Sequence, residues 1–254
     1  MPSGNPALNA RTFNQWEGMR VATDVDARAA RGTMTLQGTA AKTGLLALFV
    51  CLSALFVFVL LITGRAQYVW PLFIVGIIGS LVFMLITIFK KNWAPVTAPI
   101  YAILEGLVLG VISVLFEAMF PGIVFQAIVL TMSVLGAMLL CYYTGLIKPT
   151  ENLKLGIFAA TGGIFLFYLI AMVMSLFGQR MPLIYDTGPF GILFSLIVVG
   201  IAALNLVIDF DFIERGVELQ APKYMEWYAA FGLMVTLVWL YLEILRLLAK
   251  SRSN

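Results

Sequence analysis

Long apolar segments alternate with short polar connections along most of the chain. Each segment has about 19 to 25 residues, and the seven are Gly44–Ile62, Tyr68–Phe89, Ala98–Phe120, Gly122–Leu146, Leu155–Phe177, Gly188–Phe210 and Tyr228–Leu248. A helix of this length crosses the ~30 Å hydrocarbon core of a bilayer. The pattern predicts an all-α integral membrane protein, with one domain of seven transmembrane helices over residues 44–250. We expect residues 1–43, which are polar and mixed in charge, to form a partly disordered cytoplasmic tail.

Composition supports a membrane protein and excludes several functions. The chain is 61% hydrophobic and 11% charged, whereas soluble domains have about 25% charged residues. The net charge of +3 is too small to indicate nucleic-acid binding. There is no histidine, and Cys51 and Cys141 both lie in apolar runs. Because the chain also shows no nucleophile arrangement and no phosphate loop, we expect neither an enzyme nor a bound cofactor.

Positive charge predicts the orientation. If the N-terminus is cytoplasmic, eleven of the 16 lysines and arginines lie on the inner side, as the positive-inside rule requires. Seven full crossings then place the C-terminus outside, where Arg246, Lys250 and Arg252 supply most of the remaining positive charge. That excess leaves an alternative open, in which the last segment dips into the membrane without crossing it.

Small residues mark predicted packing faces. They occur in the third segment as Gly106-x-x-x-Gly110, in the fifth as Ala159-Ala-Thr-Gly-Gly163, and in the sixth as Gly200, Ala202 and Ala203. Small side chains allow helices to approach closely in lipid. These segments are therefore expected to pack tightly against their neighbours.

Two aspartates close the sixth segment, in the run Asn-Leu-Val-Ile-Asp-Phe-Asp from Asn205 to Asp211. A carboxylate at membrane depth is costly, which makes it a candidate functional group. Residues two apart on a helix point about 200° away from each other, so both cannot face one interior. We predict that Asp209, on the face of Asn205, points inward as the main proton-sensitive gate. Asp211 is then neutralised at the water boundary by Arg215, four residues on. Alternatively, both are interfacial charges at a helix end.

Other charged residues lie within or beside the apolar segments. Glu105 is predicted to lie roughly 10 Å deep, at a depth similar to that of Asp209, so that both can line one cavity. Alternatively, Glu105 fills a packing defect or snorkels towards the membrane surface. Glu243, in the last segment, either forms a local ion pair with Arg246 or faces Asp209 in the bundle. Glu226 lies near the start of that segment and is predicted to be interfacial.

The chemistry of such carboxylates suits a pH-sensitive cation pathway. Two close carboxylates in a medium of low dielectric cannot both ionise easily, and they bind protons as a unit. Ionised carboxylates and backbone oxygens are ligands that suit calcium, which can bind at Asp209 and Glu105 as a permeant ion. Protonation removes both the charge and the ligand.

Three stretches together resemble the Bax inhibitor-1 family, also called the transmembrane Bax inhibitor motif family, and its bacterial YccA-like branch. The resemblance covers about residues 40–250 and rests on Ala98-Pro-Ile-Tyr-Ala-Ile-Leu-Glu-Gly-Leu-Val-Leu-Gly110, Leu204-Asn-Leu-Val-Ile-Asp-Phe-Asp-Phe-Ile213 and Tyr241-Leu-Glu-Ile-Leu-Arg246. It implies two three-helix layers around a central C-terminal helix. It also implies a protein of the bacterial inner membrane.

The resemblance further implies a pH-sensitive calcium leak, gated by a carboxylate at the end of the sixth span that shares a proton with one in the seventh. Asp209 matches the first position, and Glu243 matches the second as Glu where the family usually has Asp. Some members carry an arginine in the second or third span that latches the first carboxylate. This chain has none there, and Arg215 and Arg246 are the nearby substitutes.

Two functions from different classes follow from the sequence. The first is a calcium or other cation leak channel, gated by protonation of buried carboxylates. The second is a non-transporting regulator that binds another membrane protein, such as a membrane protease or a stress-response partner. Inward acidic residues favour the first, and a long tail is compatible with the second.

Overall fold

The computed structural model describes residues 32–179, 181 and 187–253. This part of the chain forms seven long helices: α1 (Leu36–Ile62), α2 (Val69–Phe89), α3 (Ala94–Met119), α4 (Ile123–Tyr143), α5 (Glu151–Leu176), α6 (Pro189–Glu218) and α7 (Met225–Arg252). All seven are long and apolar enough to cross a membrane. The prediction of an all-α, multi-pass membrane protein with seven spans is confirmed. Most of the predicted tail, residues 1–31, lies outside the described residues.

Several helices extend beyond the apolar segments that predict them. The first begins at Leu36 rather than Gly44, because the side chain of Thr35 caps it by accepting a hydrogen bond of 3.0 Å from the backbone N–H of Gly38. At the other end of the chain, α6 continues to Glu218 and α7 begins at Met225. Hydrophobicity therefore marks the hydrocarbon-spanning part of each helix, while polar turns continue outside it.

The last helix lies at the centre of the bundle. It packs against α1, α3, α4 and α6. The most apolar part of α7 is 61% buried inside the protein, whereas no other helix of the described chain exceeds 44%. Its apolar residues also form much of the main core. The division of the remaining six helices into two layers stays a prediction.

Two hydrogen bonds, one near each end of the described chain, identify the two ends of the helix bundle. The proximal end consists of residues 32–35, 90–93, 144–150 and 219–224. There, the backbone N–H of Met34 donates to the carbonyl of Ala221 at 2.8 Å. The distal end consists of residues 63–65, residues 120–122 and the end of α7. There, the Arg252 guanidinium donates to the carbonyl of Pro121 at 2.9 Å. Helix α7 therefore runs the full length of the bundle, and it does not dip and return.

Glycines permit close packing in α3 but not in α5. A Cβ added at Gly106 would lie 2.5 Å from the carbonyl oxygen of Val50, and one at Gly110 would lie 2.8 Å from the Cα of Ala54, so α3 approaches the backbone of α1. The packing prediction is confirmed there and for the buried Ala202 and Ala203 of α6. It is wrong for Gly162, Gly163 and Gly200, which have no atom within 4 Å of an added Cβ.

Candidate functional site

Asp209 lies on α6, at its contact with the central helix α7. Its carboxylate lies near the hydroxyl of Thr236 on α7. The second carboxylate oxygen, Oδ2, is buried and has no hydrogen-bond partner in the described part of the chain. The Thr236 hydroxyl donates its proton to the carbonyl of Gly232, at 3.4 Å. Asp209 is thus an acidic group inside the bundle with one oxygen left free for a proton or a cation.

Asp211 faces a different neighbour. Its Oδ2 lies 2.7 Å from the Lys154 Nζ on α5 and 3.0 Å from the Arg215 Nε on α6. The pairing with Arg215 follows the four-residue spacing. Asp211 itself is 9% exposed, and its place at the water boundary stays a prediction. Glu151 completes the cluster by approaching Lys154 at 3.3 Å and Arg215 at 3.5 Å. This network fastens the start of α5 to the end of α6.

Asn205 supports the helix pair from the α5 side. Its amide donates to the Thr161 hydroxyl at 2.8 Å and to the Ile201 carbonyl at 2.9 Å. The side chain therefore joins α6 to α5, although it lies on the same general face as Asp209. It holds the helix that carries Asp209, and it makes no hydrogen bond to that carboxylate among the described residues.

Glu105 lies at the contact between α3 and α2. Its carboxylate lies near the hydroxyl of Ser80 on α2 and near Tyr101 on its own helix. Its polar neighbours therefore differ from those of Asp209, which belong to α7. A calcium site shared by Glu105 and Asp209 stays a prediction, since the described residues contain no group of three acidic, histidine or cysteine side chains able to hold a metal.

Glu243 is held by a local ion pair. It is 2% exposed, and Nη1 of Arg246 lies 2.9 Å from both carboxylate oxygens. The Tyr168 hydroxyl of α5 donates to the same oxygens at 3.0 and 3.1 Å, and it accepts from Arg246 at 2.6 Å. Glu243 also lies seven residues beyond Thr236, or about 10 Å along α7. The structure thus pairs Glu243 with Arg246 and gives it no hydrogen bond to Asp209.

The proximal end contains an acidic site that the sequence reading missed. Glu226, predicted to be interfacial, is 0% exposed. It accepts from both the backbone N–H (2.9 Å) and the hydroxyl (2.8 Å) of Thr35, and it pairs with Lys42 and with Lys223 at 2.8 Å. A Cβ on Gly38 would collide with the Glu226 carboxylate. We call these five residues the Glu226 clamp, which joins the start of α1 to the start of α7.

The family of the chain follows from comparison with family models. A model described as Bax inhibitor 1 like matches residues 5–253, which is nearly the whole chain. Comparison with curated proteins and with solved structures gives no match. The family match and the surroundings of Asp209, Glu105 and Glu243 are therefore the two sources of evidence for a functional proposal.

Proposed function

Since the chain belongs to the Bax inhibitor 1 like family, we propose that it is a leak channel for calcium or another cation, gated by protonation of buried carboxylates. The observation that carries the proposal is Asp209, an acidic residue of a membrane-spanning helix with a buried carboxylate oxygen that has no hydrogen-bond partner in the part of the chain described. A carboxylate at this depth is costly to maintain unless it serves a function.

Asp209 is the main gate residue in this proposal. When ionised, its carboxylate attracts a cation and offers an oxygen ligand of the type calcium prefers. When protonated, it loses both its charge and its ligand character. Glu243 is less suited to this role, because Arg246 already balances its charge at 2.9 Å. Asp211 is balanced by Lys154 and Arg215.

Glu105 is a second acidic group for the pathway. It lies on α3, which packs against the same central helix as α6. We propose that cations pass along α7 between the neighbourhoods of Glu105 and Asp209. Movement of α7 would then open or close the pathway on both sides of the helix.

The proposal includes a location in a bacterial inner membrane with the proximal end in the cytoplasm. Support comes from the lysines of that end, which include Lys42, Lys90, Lys91, Lys148 and Lys223. An excess of positive charge in short loops is typical of the cytoplasmic side. The charge of the distal end is concentrated instead on the last turns of α7.

A second candidate is a regulator that transports nothing and binds a membrane protease or a stress-response protein. The observation that favours it is the outer face of α5. Gly162 and Gly163 are exposed there, and neither would meet an atom within 4 Å if it carried a Cβ. Small residues on a membrane-facing surface allow a helix of another protein to approach closely. In either role we expect no enzymatic activity.

Calcium flux into liposomes tests the first candidate against the second. The purified full-length chain is reconstituted around a calcium indicator, and uptake is recorded between pH 5 and 8 beside protein-free liposomes. We expect uptake that exceeds the protein-free rate and changes with pH. Uptake equal to the protein-free rate at every pH, for calcium and for potassium, would overturn the channel proposal and leave the regulator.

A further inference from the structure

An open recess lies at the proximal end, between the α2–α3 connection and the start of α7. Its volume is about 610 Å³, and its lining consists of Phe89, Lys90, Lys91, Asn92, Trp93 and Tyr224. The recess lies where α2 ends and α3 begins, hence at the level where membrane-spanning helices leave the hydrocarbon core. It is separate from the residues that surround Asp209.

Among the residues that the structure describes, the two lysines of the recess have no acidic partner. Lys90 and Lys91 are exposed, and neither forms an ion pair with a carboxylate in the described chain. Their ammonium groups lie instead over aromatic rings, at 4.3 Å from the ring centre of Trp93 and 5.2 Å from that of Tyr228. Aromatic faces hold a lysine by cation–π attraction and leave its positive charge available to an anion.

Three other lysines of the proximal end are neutralised. Lys42 and Lys223 pair with Glu226, and Lys154 pairs with Asp211 and Glu151. The charge of Lys90 and Lys91 is therefore locally unbalanced, and it lies in a recess that aromatic side chains also line. Charge complementarity favours an anionic occupant.

The aromatic lining identifies the kind of anion. Phe89 is 81% exposed and Trp93 is 50% exposed. Tryptophan and other aromatic side chains at the ends of spanning helices lie at the level of the lipid headgroups. Basic pockets between spanning helices bind the headgroups of anionic lipids. We propose that this recess binds the phosphate of an anionic phospholipid, with Lys90 and Lys91 against the phosphate and with Phe89 and Trp93 against the upper part of the acyl chains.

Thermal unfolding of the full-length protein in detergent tests the site. The probe is phosphatidylglycerol, and phosphatidylcholine of the same acyl composition is the reference for each variant. A ligand that binds the folded state raises Tm by mass action. We expect phosphatidylglycerol to raise Tm by several degrees more than phosphatidylcholine does. Lys90→Gln and Lys91→Gln should each remove at least half of that difference.

Lys148→Gln is the matched control. It removes one positive charge from the same end, but Lys148 does not line the recess. The control should retain the full difference between the two lipids. An equal loss in Lys148→Gln would show that net charge alone attracts the lipid and would overturn the site. Equal stabilisation by both lipids would do the same.

The source of the phosphate is tested separately. Inorganic phosphate at millimolar concentration is added in place of lipid, to the unmodified protein and to Lys91→Gln. We expect no rise in Tm in either. A rise in the unmodified protein that is lost in Lys91→Gln would show that the recess takes a free phosphate, and the lipid proposal would then be wrong.

Discussion

The carboxylate of Asp209 lies near the hydroxyl of Thr236 at the contact between α6 and α7. Glu243, which the family resemblance pairs with Asp209, lies seven residues further along α7, or about 10 Å towards the distal end. A threonine hydroxyl can donate to an ionised carboxylate or accept from a protonated one. The partner of Asp209 on the last helix is therefore able to follow a change in protonation, which the ion-paired Glu243 is less suited to do.

The ion pair of Glu243 and Arg246 is expected to stabilise the distal half of α7. Arg246→Gln leaves a buried carboxylate without its cation, which we expect to lower the free energy of unfolding by about 3 kcal/mol. Glu243→Gln combined with Arg246→Gln removes both charges, so the double variant should be more stable than Arg246→Gln alone. Thermal unfolding in detergent measures the order of the variants.

Tyr168→Phe is the companion variant. It removes a hydroxyl that donates to Glu243 while preserving the ring under Arg246. The expected loss is about 1 kcal/mol. If the double variant were less stable than Arg246→Gln, then the two charges would not depend on each other, contrary to the pairing in the structure.

The Glu226 clamp is expected to hold α1 against α7. Glu226→Ala removes the acceptor for Thr35 and the counter-charge for Lys42 and Lys223. We expect Tm to fall by several degrees, because loss of one member of a buried ionic group costs about 3 kcal/mol or more. Glu218→Gln, at an exposed glutamate at the end of α6, should change stability by less than about 0.5 kcal/mol. Equal Tm values for the two variants would contradict the clamp.

The sequence predicts the contacts that arise within one helix better than those between helices. The pairing of Asp211 with Arg215 follows from a four-residue spacing, which brings side chains together on any helix. The contact of Asp211 with Lys154 joins α5 to α6, and no local spacing encodes it. The sequence therefore predicts Arg215 as a partner of Asp211, but it does not predict Lys154 of the neighbouring helix.

The Glu226 clamp shows a second limit. Hydrophobicity places Glu226 near the start of the last span, where water would reach an uncovered side chain. Thr35 and Gly38 lie before the first apolar run, in a stretch that the apolar pattern assigns to the tail. A signal is present in the Thr35 cap and in Lys42, which lies seven residues later on the same helical face. Only the fold shows that this face meets Glu226.

Glycine substitutions separate a close helix contact from an open face. Gly106→Ala places a Cβ 2.5 Å from the Val50 carbonyl, which must move α1 and should lower stability by about 1–3 kcal/mol. Gly163→Ala meets no atom within 4 Å. It should raise helix stability by about 0.5–1 kcal/mol, because alanine has less backbone freedom to lose. Thermal unfolding in detergent distinguishes the two, and a loss in Gly163→Ala equal to that in Gly106→Ala would contradict the described packing.

Substitution of the two aspartates of α6 should affect the stability of the protein differently. Asp211→Asn removes a carboxylate that binds both Lys154 and Arg215. The expected loss is about 1.5–3 kcal/mol, because hydrogen bonds to charged groups contribute this much. Asp209→Asn removes a charge from a buried site with one unpartnered oxygen, so it should leave stability unchanged or raise it. Unfolding measurements at neutral pH test the difference.

In transport, we expect Asp209→Asn to have the larger effect and Asp211→Asn the smaller one. Asp209→Asn resembles the protonated acid permanently, so calcium flux into liposomes should become nearly independent of pH. Asp211→Asn should leave the midpoint of the pH response within about half a unit of the unmodified protein, because Asp211 is fixed between two cations and does not border the α7 contact. Both variants are compared at equal reconstituted amounts, at a temperature where Asp211→Asn remains folded. If Asp211→Asn abolished the pH response and Asp209→Asn preserved it, the gate would lie on the α5 side of α6, in the cluster of Lys154 and Arg215.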